Sequence, residues 1–178
     1  SHEYALEKTG NTGLRHRLEH VELPTQEHIA RSKELDLIFS MSPTYEYIWG
    51  GQGKLYEERL GLNYSKTNPF RSIVEAGVKI CGGSDCDVTP ANPLLGIHSA
   101  VNHPVPDHRV SVYEAIKMFT VNGAYAIFEE DEKGVIEPGK VADVVILDKD
   151  IMKTPPDQIK DIKVITTLKN GQIIMNIS

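Results

Sequence analysis

The sequence predicts an α/β fold, with parallel strands and helices alternating over residues 1–130 and a small antiparallel β unit over residues 131–178. In the first part, short apolar runs that end in polar or glycine-rich turns alternate with helix-forming stretches, which is the pattern of a parallel sheet. In the second part, strand-like runs follow one another without a helical period. Asn170-Gly171 lies between the last two runs and is the strongest short signal for a β-hairpin.

Composition limits the classes of function. The chain has 178 residues, of which 40% are hydrophobic and 25% charged, as is ordinary for a globular protein. Its net charge of -6 argues against a nucleic-acid surface or an anionic membrane as the main partner. No apolar run approaches the roughly 18 residues that span a bilayer, and the N-terminus has no apolar signal-peptide core. We therefore predict a cytoplasmic protein.

The first two strand–helix units follow the helix-like residues 1–10. Residues 14–20 alternate between two faces, which predicts a strand with His20 at its tip. A polar helix with a threonine at its N-cap follows over residues 26–35. Residues 37–43 then form a second apolar run that ends at a proline, which predicts a buried strand.

The segment 44–68 is aromatic and glycine-rich, and we predict that it is a long loop. Loops of this length in compact domains are usually functional or partly disordered. This one leaves the carboxyl end of a strand, where enzymes built from strand–helix repeats place their chemistry. Tyr45 and Trp49 are therefore candidate pocket residues. The alternative is that the aromatic rings only cover the outer edge of the fold.

Asp85 lies at the tip of a third predicted strand. A short helix over residues 69–77 ends at a glycine and leads into an apolar run. Gly82 and Gly83 then let the backbone pass close to a bulky group, and a carboxylate at such a strand end can face a metal or a substrate. The alternative is that Asp85 caps the following turn. Asp87 is either a second acid in the pocket or a residue of that turn, and we favour the turn.

Two cysteines are present, Cys81 and Cys86, so no disulfide framework is predicted. The spacing between them matches no metal or redox motif. Free cysteine commonly behaves as a small hydrophobic residue. We interpret both as half-buried thiols.

The proline-rich segment 89–109 is also predicted to be a loop, and it contains three histidines. His98, His103 and His108 are separated by prolines and share no common face. We interpret His103 and His108 as solvated and keep His98 as a candidate pocket residue. A capping box that begins at Ser111 then opens a helix predicted to pack on the sheet.

Three motifs occur in one order along the chain: Arg-His-Arg-Leu-Glu-His at 15–20, Gly-Gly-Ser-Asp at 82–85 and Gly-Val-Ile-Glu-Pro-Gly-Lys-Val-Ala-Asp at 134–143. This order resembles the metal-dependent amidohydrolases, in the branch of the N-substituted formamide deformylases and exoenzyme regulatory proteins, over about residues 14–174. The resemblance implies the C-terminal part of a TIM-type barrel, about three strand–helix units. It also implies a segment of the β-sandwich that this family assembles from both chain ends.

The resemblance also implies roles for two residues. His20 corresponds to a histidine that binds a divalent metal, for which we predict zinc. Asp85 corresponds to the aspartate that contacts the metal and carries the proton. The implied reaction is hydrolysis of a C–N bond other than a peptide bond, in a small amide, formamide or cyclic imide. The family's other ligands have no counterpart here, so we expect the isolated chain to be inactive.

The length of the chain bears on its partners. A complete barrel takes about 250 residues, so we predict that the remaining N-terminal part of the barrel is the main partner. Open strand edges and an unclosed apolar interior predict self-association of the isolated chain. The alternative function is a noncatalytic regulatory or binding module that kept the fold and lost the metal-binding half.

Overall fold

A computed structural model describes residues 2–177. The helices are α1 (His2–Thr9), α2 (Gln26–Glu34), α3 (Thr44–Ile48), α4 (Leu55–Leu60), α5 (Phe70–Glu75), α6 (Pro93–Val101), α7 (Val112–Met118) and α8 (Val121–Ala126). The strands are β1 (Arg17–Glu19), β2 (Ile38–Met41), β3 (Lys79–Gly82), β4 (Val144–Leu147), β5 (Val164–Lys169) and β6 (Gln172–Asn176). Short 3-10 turns cover Gly61–Lys66, Pro106–His108 and Pro156–Asp161. None of these helices is long and apolar enough to cross a bilayer.

The first three strands form one parallel sheet in the order β1-β2-β3. Arg17 lies opposite Ile38, and Ile38 lies opposite Lys79. Each strand is followed by at least one helix, so the predicted parallel alternation is confirmed. The first strand is shorter than the predicted 14–20, since only three of its residues pair with β2.

The hydrophobic core lies between one face of this sheet and the helices that follow its strands. Phe39 and Ile80 are adjacent on that face, and both are almost fully buried. They belong to the same cluster as Ile73 of α5 and Met118 of α7. Ile159, from the last 3-10 turn, is also a fully buried member. The core is therefore continuous across the boundary predicted at residue 130.

Two segments predicted to be loops contain helices. Residues 44–68 form α3, α4 and a 3-10 turn, and residues 89–109 contain α6. The helices of the first segment have only five or six residues, too few to show a helical period in sequence. In the second, Pro93 follows the N-cap Asn92 at the start of the helix, where its missing N–H costs no hydrogen bond.

The last three strands form a separate antiparallel sheet in the order β4-β5-β6. Asn170 and Gly171 join β5 to β6 with φ angles of 49° and 76°, which confirms the predicted hairpin turn. Within residues 2–177 this is one sheet rather than two packed sheets. An apolar groove of about 680 Å³ separates it from α6 and α7.

A half-buried arginine lies at the amino-terminal end of the parallel sheet. The Arg15 guanidinium donates hydrogen bonds to both carboxylate oxygens of Glu130, at 2.8 and 2.5 Å, and to the carbonyl of Tyr125 at 2.6 Å. It also lies 3.7 Å from the ring centroid of Tyr125 and 4.3 Å from that of Phe128. Paired and stacked contacts of this kind favour arginine over lysine. They tie the start of β1 to the segment that follows α8.

The Arg15–Glu130 pair predicts how stability depends on pH. The hydrogen bond from Arg15 is the largest cause that lowers the pKa of Glu130, from 4.5 to about 2. A carboxyl group with a depressed folded pKa stabilises the fold above its unfolded pKa, and that contribution is lost as the pH falls through the folded value. We expect the urea midpoint of the wild type to exceed that of Glu130→Gln above about pH 5 and the two midpoints to converge near pH 2. Urea titrations between pH 2 and 7 measure this.

The exposed neighbour Glu132 provides the matched control. Glu132→Gln should follow the wild-type midpoint at every pH. A difference between wild type and Glu130→Gln that stays constant down to pH 2 would contradict the assigned cause.

Candidate active site

The parallel sheet carries His20 and Asp85 to the same edge. His20 directly follows β1, and its backbone N–H donates to the carbonyl of Ser40 at 2.7 Å. Asp85 lies just beyond β3, in the turn that follows Gly83. The backbone N–H of Gly83 donates to the carbonyl of Met41 at 2.8 Å. Because the carboxyl ends of parallel strands meet at one edge, both side chains start from the rim where such folds place their chemistry.

Both residues have an unusual backbone conformation. The φ angle is 68° at His20 and 50° at Asp85, in the left-handed region that non-glycine residues seldom adopt. Such conformations cost of order 1–3 kcal/mol, and they persist where surrounding structure enforces them, often at functional sites. Other residues, among them Val21 and Phe128, also have positive φ, so the contacts of His20 and Asp85, rather than this conformation, link them to a site.

Tyr45, the second residue of α3, touches both. Its hydroxyl donates a hydrogen bond to Oδ2 of Asp85, and its ring lies within 10° of parallel to the His20 imidazole, with centroids 6.1 Å apart. Its side chain is only 5% exposed. Burial, followed by the hydrogen bond to Asp85 and the charge of Asp85, raises the pKa of Tyr45 to about 12. Tyr45 therefore stays protonated at neutral pH and remains a hydrogen-bond donor.

An aromatic row extends from Tyr45 along the rim. The Tyr45 and Trp49 ring centroids are 4.6 Å apart, and those of Trp49 and Tyr56 are 6.3 Å apart. The Tyr56 hydroxyl donates to Oε2 of Glu22, two residues beyond His20. Burial, then the hydrogen bond to Glu22, raises the pKa of Tyr56. The rim therefore holds two phenol–carboxylate pairs, Tyr45–Asp85 and Tyr56–Glu22.

His98 lies away from this row. It is buried on α6, where its ring packs edge-on against Tyr47 at 5.4 Å and its Nδ1 lies 3.2 Å from Nδ2 of Asn102. The same Asn102 amide donates to the carbonyl of Pro156, in the last 3-10 turn. Burial lowers the pKa of His98. The structure brings His20, Asp85, Tyr45 and Trp49 together, whereas these contacts join His98 to the C-terminal segment.

The interpretation of the two other histidines as solvated is wrong. His103 is 0% exposed, and its Nδ1 accepts a hydrogen bond from the backbone N–H of Val105 at 3.0 Å. His108 is half-buried and donates from Nδ1 to the carbonyl of Thr67 at 3.1 Å. Burial, with the charge of His103, lowers the pKa of His108. Both histidines pack against the 3-10 and helical segments after β2, which the sequence predicted to be a loop.

The cysteines also differ from their prediction. Cys81 is buried and Cys86 is exposed, and both are free thiols. Burial raises the pKa of the Cys81 thiol, which makes it a poor nucleophile or metal ligand at neutral pH. Asp87 lies exposed in the turn, as predicted.

Two further groups near the rim, Glu22 and the buried Glu46, were not predicted from the sequence. Glu22 gave no signal beyond its position two residues after His20. Glu46 follows Tyr45 directly, within a segment interpreted by its aromatic residues, and its carboxylate accepts from Nδ2 of Asn68 at 2.7 Å. Helices of five or six residues are too short for a sequence period to indicate which of their polar residues are buried.

His20 and Asp85 offer the types of donor atom that bind a divalent metal. Imidazole nitrogen and carboxylate oxygen are ordinary zinc ligands, and the ring nitrogens of the exposed His20 make no hydrogen bond within residues 2–177. In the described part of the chain, however, no three His, Cys, Asp or Glu side chains converge as a metal site requires. A catalytic zinc usually takes three protein ligands. If a metal binds at this rim, further ligands must come from elsewhere.

Comparison with known proteins decides the family. The model of the amidohydrolase family matches residues 1–175. The chain belongs to the amidohydrolase family. The amidohydrolase YtcJ of Bacillus subtilis is 32% identical to it, over 96% of this chain and 34% of that protein. The N-substituted formamide deformylase of Arthrobacter pascens is 26% identical, over 94% of this chain and 32% of that enzyme. The resemblance drawn from the three motifs is confirmed.

Solved structures agree with this amidohydrolase assignment. An uncharacterized metal-dependent hydrolase of Pyrococcus furiosus superposes with a TM-score of 0.66 at 29% identity, over 84% of this chain and 31% of that one. A zinc-bound adenosine deaminase of Xanthomonas campestris superposes with a TM-score of 0.71 at 18% identity, over 98% and 40%; at that identity the likeness is one of fold. The chain spans about a third of the length of the curated relatives it matches.

Proposed function

We propose that this amidohydrolase chain contributes to a metal-dependent hydrolase that cleaves a C–N bond other than a peptide bond, in a small amide, formamide or cyclic imide. The observation that carries the proposal is the link through Tyr45, whose hydroxyl reaches Asp85 while its ring stacks on His20. An imidazole and a carboxylate held together at the carboxyl end of a parallel sheet are the groups that metal-assisted hydrolysis needs. The deformylase relative supports the choice of bond.

Asp85 would move the proton in this reaction. A divalent metal, zinc in our proposal, would activate water and polarise the substrate carbonyl when bound. His20 would be one ligand and Asp85 a second. Asp85 would accept a proton from the attacking water and deliver it to the leaving nitrogen. The Tyr45 hydroxyl would hold the Asp85 carboxylate in one orientation through both transfers.

Residues of the segment after β2 would line the substrate pocket. Trp49 is half-buried between Tyr45 and Tyr56, so one edge of its ring remains available to a substrate. We assign Tyr45 and Trp49 to the pocket wall. His98 packs toward the C-terminal segment, so it would support the pocket wall without contacting the substrate.

The remaining ligands and strands would come from the rest of the full-length protein. In the parallel sheet, β1 and β3 each have one unpaired edge within residues 2–177. We propose that further strands close a barrel at these edges, so that residues 1–130 belong to the barrel and residues 131–178 to a composite β-sandwich. Without those strands the same edges would promote self-association of the chain. We place the enzyme in the cytoplasm, as composition predicts.

A noncatalytic regulatory or binding module is the second candidate. It is favoured by one observation, the lack of a three-ligand metal cluster within residues 2–177. The two candidates differ in what they expect of the full-length protein, because only the enzyme requires metal for turnover.

One experiment separates them. We expect the full-length protein, loaded with zinc, to hydrolyse at least one member of a panel of formamides, small amides and cyclic imides, and to lose that activity when a chelator removes the metal. Residues 1–178 expressed alone, as the control, should bind zinc weakly and remain inactive. Full-length protein that binds no divalent metal and hydrolyses none of the panel would favour the module.

A further inference from the structure

A buried polar cluster lies behind the proposed site. Glu46 is 1% exposed and His103 is 0% exposed, and Nε2 of His103 lies 3.5 Å from Oε2 of Glu46. The other carboxylate oxygen of Glu46 accepts from Nδ2 of Asn68, itself 1% exposed, at 2.7 Å. We call Glu46, Asn68 and His103 the buried triad. Its members play no part in the proton transfers assigned above.

The chemical state of the triad follows from its contacts. Nδ1 of His103 accepts from the backbone of Val105, so in the neutral imidazole the proton is on Nε2, on the side of Glu46. At 3.5 Å this contact is long for a hydrogen bond and acts through charge and dipole. Burial alone would raise the pKa of Glu46. The imidazole of His103, together with the hydrogen bond from Asn68, outweighs burial and leaves the pKa of Glu46 below its ordinary value. Glu46 is therefore ionised at neutral pH.

The triad joins the segments that follow all three parallel strands. The backbone N–H of Asn68 donates at 2.7 Å to the carbonyl of Glu22, in the segment after β1. Glu46 lies on α3, after β2, and His103 follows α6, which comes after β3. These are the segments from which His20, Tyr45 and Asp85 project. His103 contacts the buried charge from the segment after β3, and Asn68, which also binds that charge, fixes the segment after β1 through Glu22, so the three segments are restricted in how they move relative to one another.

Glu46 has a direct connection to the reacting groups. It is the sequence neighbour of Tyr45 on the same short helix, and Tyr45 donates to Asp85. The space around the Glu46 carboxylate is also tight. A Cβ on Gly50 would lie 1.9 Å from Oε2, so the carboxylate fills the position that a side chain at residue 50 would occupy. We expect a shift of the Glu46 carboxylate to move α3, and with it the Tyr45 hydroxyl.

We propose that Glu46 is a positioning residue of the enzyme: held by His103 and Asn68, it orients α3 so that Tyr45 keeps its hydrogen bond to Asp85. This inference rests on the proposed function for its kinetic consequence. Desolvating a carboxylate costs stability, and a purely apolar core would fix a helix of five residues less precisely than directional polar contacts do. The buried charge accounts for the orientation of Tyr45 without touching the substrate.

A double-mutant cycle on the full-length enzyme tests the proposal. We expect Glu46→Gln to lower kcat about tenfold and to leave KM unchanged within about twofold. The substitution should weaken the hydrogen bond from Tyr45 to Asp85, which carries the proton, and should leave substrate binding unaffected. In a Tyr45→Phe background the same substitution should change kcat by less than about twofold, since the contact it supports is already gone. The exposed Glu58→Gln on α4 is the matched control and should leave both parameters unchanged. Equal effects of Glu46→Gln in both backgrounds would overturn the proposal.

A second readout does not depend on activity. Trp49, the single tryptophan of this chain, packs on Tyr45 with ring centroids 4.6 Å apart. Its emission, obtained by subtracting the spectrum of a Trp49→Phe variant, should shift in Glu46→Gln and stay unchanged in Glu58→Gln. Unchanged emission in Glu46→Gln would overturn the positioning role. If the wild type has no hydrolytic activity but the emission shifts, the proposed function fails while the structural coupling stands.

A further variant covers the case in which Glu46→Gln does not fold. Replacing both partners of a buried polar contact with apolar groups can be nearly neutral, so Glu46→Met combined with His103→Leu should fold, with a lower thermal midpoint because Asn68 Nδ2 and the Val105 N–H lose their acceptors. We expect this variant to lose about tenfold in kcat and to show the Trp49 shift. Wild-type kcat in a folded Glu46→Met/His103→Leu protein would contradict the proposal.

Discussion

Asp85→Asn is expected to lower kcat of the full-length enzyme by about 10²–10⁴-fold, the range that general acid–base catalysis supplies. An amide cannot accept the proton from the attacking water, but its oxygen can still accept the hydrogen bond from Tyr45, so the fold should be preserved. Steady-state kinetics on the best substrate, with circular dichroism to verify folding, measure the effect.

Asp87→Asn is the matched control for this experiment. Asp87 is an exposed turn residue two positions further along, so the same change of charge occurs within the same turn. It should leave kcat within about twofold of the wild type. A folded Asp85→Asn enzyme that keeps most of its activity would remove Asp85 from the mechanism.

His20→Ala is expected to produce the largest loss of metal affinity. Substitution of outer-shell partners of metal ligands typically costs 10–100-fold in affinity or activity, and a direct ligand should cost at least that much. The imidazole projects from the rim and makes no hydrogen bond within residues 2–177, so its removal should not disturb the core. Competition with a fluorescent zinc chelator, using the full-length protein, gives the dissociation constant.

His16→Ala controls for the general loss of an imidazole. His16 is exposed and precedes β1, at the end of the strand opposite His20. Its replacement should leave the dissociation constant unchanged. If the two variants bind zinc equally well, His20 is not a ligand.

The sequence predicted the parts of the fold whose signals are local. Apolar runs that end at glycine or proline identified β2 and β3, and Asn170-Gly171 identified the hairpin because only residues tolerant of positive φ suit that turn. The motif order identified the family. Strand polarity placed His20 and Asp85 at the same end of the predicted sheet, and the roles predicted for them came from the resemblance of their motifs to those of the family.

The parts that the sequence did not predict depend on packing between distant segments. The short helices α3 and α4 are stabilised by packing rather than by a helical period. His103 resembled a solvated loop histidine because its contact, Glu46, lies far away in the sequence. The carboxylate–tyrosine pair Glu22–Tyr56 likewise joins the segment after β1 to α4, and no pattern along the chain specifies that Tyr56 faces Glu22.

The central claim is that one metal ion is shared by the groups at the carboxyl edge of the parallel sheet. Crystals of the full-length protein grown with zinc, with anomalous data collected on both sides of the zinc absorption edge, test it most directly. We expect an anomalous peak about 2.0–2.2 Å from a ring nitrogen of His20 and from a carboxylate oxygen of Asp85. A peak bound by other residues, with His20 and Asp85 both outside coordination distance, would contradict it.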